Sequence, residues 1–114
     1  MGDHKALLIR LYEAFNRKDI DAVVGFMHPD VSWPNLFGDD RMHGREALRA
    51  MWRDQFAKID PEGAPISMST LPDGRIAVKV AYVVRTLDGR LFTEEIVTNT
   101  YRFQDDLIIG MEWD

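Results

Sequence analysis

Tyr12, Asn35 and Asn99 are polar side chains that could hold or orient a ligand. Tyr12 falls in the stripe formed by Leu7, Leu8, Leu11 and Phe15. A phenol buried there can donate a hydrogen bond to a ligand carbonyl and stabilise charge that develops on it. The plainer alternative is a core tyrosine whose hydroxyl meets a backbone partner. Asn99 interrupts an apolar strand face between Val97 and Tyr101. Burying an amide without a partner costs about 1–3 kcal/mol, so Asn99 calls for a ligand or an ordered water. Asn35 follows Pro34 at the start of a loop, a common setting for a turn residue. An amide has no basic site near neutral pH, so Asn35 can orient a ligand or a water but cannot act as a general base.

Other groups could move protons. Glu95 shares the strand parity of Asn99. Asp39 and Asp40 lie in the loop after Asn35, and Asp114 sits beside Trp113. For all four, an exposed solvated carboxylate is the plain alternative. His28 precedes Pro29 at an expected helix end, where a cation complements the helix dipole. His43 lies in a loop before the third helix. Two histidines on separate elements do not make a metal site, so no metal is expected, and no cofactor. The absence of cysteine excludes disulfides, thiolate catalysis and thiolate metal sites.

The bulk composition narrows the class further. A chain of 114 residues has room for one core, so a single domain over residues 1–114 is expected. Its 46% hydrophobic content argues against disorder. No apolar run approaches the ~18 residues of a membrane span. Met1 to Arg10 lacks a signal-peptide pattern, so a cytoplasmic location is expected, with no membrane partner. The net charge is −5, without a Lys/Arg cluster to face phosphates, and nucleic-acid binding is not expected.

Helices come first and strands later, which favours an α+β class over alternating βαβ units. A helix is expected from about Asp3 to Asn16, with Asp3 as its N-cap. A second short helix, capped by Asp19, buries Ile20, Val23, Val24 and Met27 and stops at Pro29. Val31-Ser32-Trp33 reads as a short strand broken by Pro34, and residues 35–42 as loop. A third helix runs from about Arg45 to Lys58, and Pro61, Gly63 and Pro65 form the break after it. Strands follow over Ile66–Leu71, Ile76–Thr86, Leu91–Phe103 and Leu107–Trp113. Pro72-Asp73-Gly74, Asp88-Gly89 and Asp105-Asp106 supply the turns, so the last three strands form a meander.

These segments carry a resemblance. Asp19-Ile20-Asp21-Ala22-Val23-Val24, then Pro29-Asp30-Val31, then His43-Gly44-Arg45-Glu46-Ala47-Leu48 resemble the ketosteroid-isomerase-like, SnoaL-like family of the nuclear transport factor 2-like superfamily. The ending, Tyr101-Arg102-Phe103 with a turn and then an aromatic residue near the terminus, is also similar. The resemblance implies an α+β fold. Its curved, cone-shaped antiparallel sheet has its wide end closed by three helices from the N-terminal half, a cystatin-like, SnoaL-like α+β barrel. Members are commonly dimers. Their activities include isomerases, cyclases, dehydratases and epoxide hydrolases, and many members have no enzymatic role, so the site must be argued residue by residue.

Within such a cone, strand alternation turns certain residues inward. Val78, Val80, Tyr82 and Val84 would line one wall, Val97, Asn99, Tyr101 and Phe103 the next, then Met111 and Trp113. Phe15, Trp33, Trp52 and Phe56 would close the top. A large apolar surface around a few polar groups is the usual make-up of a small-molecule pocket, and simple core packing is the alternative for each residue. By the resemblance, Tyr12 falls where the isomerases have their oxyanion-binding tyrosine. Asn99 falls where they use a neutral aspartic acid as the second donor. Asn35 falls where they place the aspartate that moves the proton, so the donor pair is kept and the base is not. No inward Arg stands between two acids as in the epoxide hydrolases, because Arg102 has outward parity.

Two functions are expected from this. One is a binder of a small hydrophobic oxo compound with isomerase- or cyclase-type chemistry on it, using Tyr12, Asn35 and Asn99. The other is a non-catalytic ligand-binding or dimerisation domain of the same fold. The outward face, with Ala81, Val83, Phe92, Ile96, Thr98, Thr100 and Arg102, carries little charge for a solvated sheet. That suggests a homodimer through it.

Overall fold

A computed structural model describes residues 3–35 and 38–113. Asp114, one of the carboxylates considered above, lies outside the described residues. The first helix, α1 (His4–Asn16), starts where Asp3 accepts a hydrogen bond from the Ala6 N–H at 3.1 Å, as an N-cap does. Its apolar stripe is the buried face: Leu7, Leu8, Leu11, Tyr12 and Ala14. Asp19 caps α2 (Ile20–Gly25) in the same way, through the Ala22 N–H. The third helix, α3 (Arg45–Lys58), buries Leu48, Met51 and Trp52.

Six strands make one sheet: β1 (Met27–Pro34), β2 (Arg41–His43), β3 (Ile59–Thr70), β4 (Ile76–Thr86), β5 (Leu91–Gln104) and β6 (Leu107–Trp113), in the order β2-β1-β6-β5-β4-β3. β3 through β6 are an antiparallel meander. Gly74 and Gly89 take φ near +90° in two of its turns, and Asp105 and Asp106 take positive φ in the third. Register shifts at Pro65/Ser67, Val84/Arg85 and Arg102/Phe103 bend the strands, as bulges do. The result is the expected α+β architecture, a curved sheet with three helices, left open between edge strands β2 and β3. One pairing, β1 with β6, is parallel. A long excursion through α3 and the other strands separates the two, which permits a pairing that a hairpin cannot make.

The proline-rich segments differ from the sequence expectation. Helix α2 ends at Gly25, and Met27 and His28 already belong to β1. His28 therefore does not sit at a helix end: it is buried, its Nδ1 accepts from the Asp30 N–H at 3.0 Å, and its Nε2 faces Asp105 at 3.5 Å. Pro34 closes β1 rather than breaking it, and Arg41–His43 pair with it as β2 where loop was expected. Pro61, Gly63 and Pro65 lie inside β3. An edge strand tolerates proline because one side of its backbone needs no ladder partner. Along that free side the Asn16 side chain grips Gly63, donating to its carbonyl and accepting from its N–H, both at 2.9 Å.

The core fills the concave side of the sheet. Ile76, Val78 and Val80 of β4 meet Tyr101, Ile108 and Met111 of the neighbouring strands beneath Leu8, Leu11 and Leu48 of the helices. The convex side carries exposed Lys79, Arg85 and Arg102, and also exposed Phe92 and Ile96. Among the described residues, no helix is long and apolar enough to cross a membrane.

Candidate functional site

Between α1, α3 and the sheet the core leaves a cavity of about 500 Å³. Strand parity places its polar members. Tyr82 on β4 stands opposite Glu95 on β5, and Asn99 on β5 stands opposite Trp113 on β6; all four face the cavity. One turn of α1 after Leu8 puts Tyr12 over them. Trp33 and Trp52 meet edge to face with centroids 5.3 Å apart, and Trp33 leans on Tyr101 at 6.0 Å, forming the deep aromatic wall. The indoles wall the hollow without filling it.

Asn99, only 2% exposed, is the hub of a polar cluster in this apolar setting. Its Nδ2 donates to the Tyr12 hydroxyl at 3.1 Å and to the Tyr82 hydroxyl at 3.0 Å. The Tyr12 and Tyr101 hydroxyls share a third hydrogen bond of 2.6 Å. Three phenols and one amide hold five hydrogens, and three are spent in these bonds. Phenolic hydrogens are left over, while Asn99 Oδ1 is buried with no partner among the described residues. Reversing the amide would give two phenols an acceptor but bury an NH2 with two unmatched hydrogens. In neither orientation does the cluster satisfy itself.

Burial pushes all three phenols above the ordinary value of 10.0. For Tyr12, bonds from Tyr101 and Asn99 and the nearby Tyr82 hydroxyl offset part of that rise. For Tyr101 the charge of a neighbouring Tyr12 phenolate adds to it. The phenols are therefore hydrogen-bond donors at neutral pH, suited to an oxygen that gains negative charge. Gly63 makes room for the arrangement. A Cβ there would lie 2.9 Å from Tyr82 Cε1 and 3.3 Å from Tyr12 Cδ1, so only a glycine lets both rings press against β3.

Of the expected site residues, Tyr12, Phe15, Trp33, Trp52, Tyr82, Val84, Val97, Asn99, Tyr101, Met111 and Trp113 line the cavity. Trp113, 44% exposed, stands at its mouth. Val78 and Val80 are fully buried in the core behind the wall, because the inner residues of mid-sheet positions are covered by the helices. Phe56 packs on Phe15 at 5.4 Å, under Lys18, outside the lining. Asn35 does not join Tyr12 and Asn99. Its Nδ2 donates to Asp40 Oδ1 at 2.8 Å within its own loop. Among the carboxylates considered, Glu95 reaches the cavity, whereas Asp39 and Asp40 stay in the exposed loop.

Gln55 is a lining residue that the sequence did not single out. Its Oε1 is buried without a partner among the described residues. The signal was present, since Gln55 sits between Trp52 and Ile59 on the apolar side of the third helix. The hydroxyls of Tyr82 and Tyr101 also belong to the site, where the sequence suggests only aromatic wall residues. Their shared parity with Asn99 on adjacent strands could have marked a polar cluster rather than two aromatic wall residues.

An open curved sheet, three covering helices and a walled cavity with a buried phenol–amide cluster define an α+β protein with a pocket on the concave side of its sheet. The SnoaL-like domain model matches residues 8–111, and the chain belongs to that family. No curated protein matches the sequence. Among solved structures, an uncharacterised cystatin-fold protein from Novosphingobium aromaticivorans is similar at a TM-score of 0.85 and 20% identity, covering 100% of this chain and 99% of that one. SalBIII, an epoxide hydrolase/cyclase-like enzyme with a role in pyran ring formation in the polyether salinomycin, is similar at 0.83 and 18%, covering 96% and 88%. A candidate polyketide cyclase from Xanthomonas campestris is similar at 0.80 and 21%, covering 96% and 87%. At such identities the likeness shows the fold alone.

Proposed function

We propose that the cavity binds an apolar, oxo-bearing small molecule and polarises its carbonyl, as an isomerase- or cyclase-type enzyme would. The observation that carries this reading is the surplus of phenolic hydrogens. With Tyr101 donating to Tyr12, the hydrogens of Tyr12 and Tyr82 are free for a ligand oxygen, and Asn99 Nδ2, bonded to both phenol oxygens, strengthens them as donors. The cyclase-like chemistry of SalBIII and the candidate polyketide cyclase fits such a site.

Catalysis also needs a group to take a proton. Asn35 has no basicity and lies outside the lining, so Glu95 is the carboxylate we assign to that task. If Glu95 proves inert, the same geometry supports ligand binding without chemistry, the second reading, and the retreat of Asn35 into its own loop favours it. A thermal-shift screen with flat ketones, quinones and polyketide fragments tests binding, because a ligand held by the folded state alone must raise its stability. Tyr12→Phe should weaken every hit. Hits that bind equally well to that variant would remove the phenol from the site.

We also propose a homodimer across the convex sheet face, where Phe92 and Ile96 are 67% and 61% exposed. A dimer by sedimentation equilibrium that Ile96→Glu dissociates supports it; a monomeric native protein refutes it.

A further inference from the structure

We propose that Gln55 is a second polar anchor of the cavity, and that the ligand is a neutral, two-ended molecule: an oxo group at the tyrosine cluster and a hydroxyl at Gln55. This rests on the binding reading above and specifies its ligand. The inner anchor is built from α1, β4 and β5, whereas Gln55 projects from α3 between Trp52 and Ile59, which also line the hollow. Its side-chain amide bonds to no described residue, and its oxygen is buried. An amide is an odd choice for that position, since Leu or Met would fill the same volume without an unmatched polar atom. A ligand hydroxyl resolves the mismatch. The terminal amide torsion is soft, so the oxygen can turn to the cavity and accept, or the NH2 can donate to the hydroxyl oxygen.

Charge narrows the class. Glu95 is the one charged side chain among the described lining residues, and it is exposed at the mouth. A carboxylate at the entrance of a low-dielectric hollow repels an anionic ligand. Between the two anchors the surface is indole, phenyl and aliphatic, which suits a conjugated or ring-fused body.

Chalcones supply matched probes: the parent enone, its ring-hydroxylated forms and their methyl ethers. Their dissociation constants are measured by calorimetry on the native protein and on Gln55→Met, which keeps chain length and removes the amide. The inference expects one hydroxychalcone to bind native protein about fivefold or more tightly than its ether and its parent, and this preference to vanish in Gln55→Met while the parent's affinity holds. Equal affinities for the hydroxylated, etherified and parent compounds would overturn the inference and leave the oxo-binding reading standing. A preference that survives in Gln55→Met would remove Gln55 from the contact. Failure of all the probes and of the broader ketone screen would take down the binding reading itself. If Gln55→Met does not fold, the comparison on the native protein still decides the ligand class.

Discussion

Every tyrosine of the chain, Tyr12, Tyr82 and Tyr101, belongs to the cavity cluster, so phenolate absorbance of the whole protein reports on this one place. Burial raises all three phenols in the folded state, whereas in the unfolded chain they ionise near their ordinary value of about 10. The sign follows from proton counting. Above that pH the unfolded state has released protons that the folded state still holds, so stability falls as pH rises. The contribution is fully present below about pH 10 and is lost above it, up to the raised folded-state values. Each phenol costs about 1.4 kcal/mol per pH unit in that window, so three cost roughly 4 kcal/mol per unit. Against a total stability of about 5–15 kcal/mol, the fold should collapse cooperatively within a few pH units above 10. A base titration followed by ultraviolet phenolate absorbance and by far-ultraviolet circular dichroism should show both signals changing together. In urea the phenolate signal should appear earlier, near pH 10. Tyr12→Phe should lessen the steepness of the alkaline loss by about a third. Phenolate absorbance growing through pH 10 while the dichroism stays native would mean that water reaches the phenols, and the buried cluster would be wrong.

Gln55→Met should stabilise the free protein by about 1–2 kcal/mol in urea denaturation, because it removes a buried oxygen without a partner; a loss of stability would show that the amide is already satisfied. Gly63→Ala should cost about 1–3 kcal/mol through the clash at Tyr82 Cε1, and most of that cost should disappear in a Tyr82→Leu background; an undiminished cost there would separate Gly63 from the tyrosine packing. Glu95→Gln should leave ketone binding unchanged, since Glu95 is exposed at the mouth, and should lower any proton-transfer rate on a bound ketone by about 10²–10⁴-fold. An unchanged rate would send the search for a base elsewhere.

Much of this molecule could be read from local chemistry. The caps at Asp3 and Asp19, the extent of α3 and the three tight turns depend on residues within a few positions of each other, and they appear as expected. Inward and outward positions on β4 and β5 also followed, because side chains alternate along any strand. The proline-rich segments depart from their local pattern where the outcome hangs on a distant partner. Pro61 and Pro65 can sit in β3 because that strand lies at the sheet edge, a fact about strand order that no local pattern encodes. The site divides along the same line. That Tyr12 and Asn99 are polar residues in apolar surroundings is visible in one dimension. That Tyr82 and Tyr101 bring their hydroxyls to the same amide depends on β4–β5 register, on the angle at which α1 crosses the sheet, and on the missing Cβ at Gly63. Asn35 is held back by its own loop, through Asp40 five residues on, whereas the arrival of Gln55 was settled by packing between elements far apart in the chain, where long-range contacts outweigh the preferences of neighbouring residues.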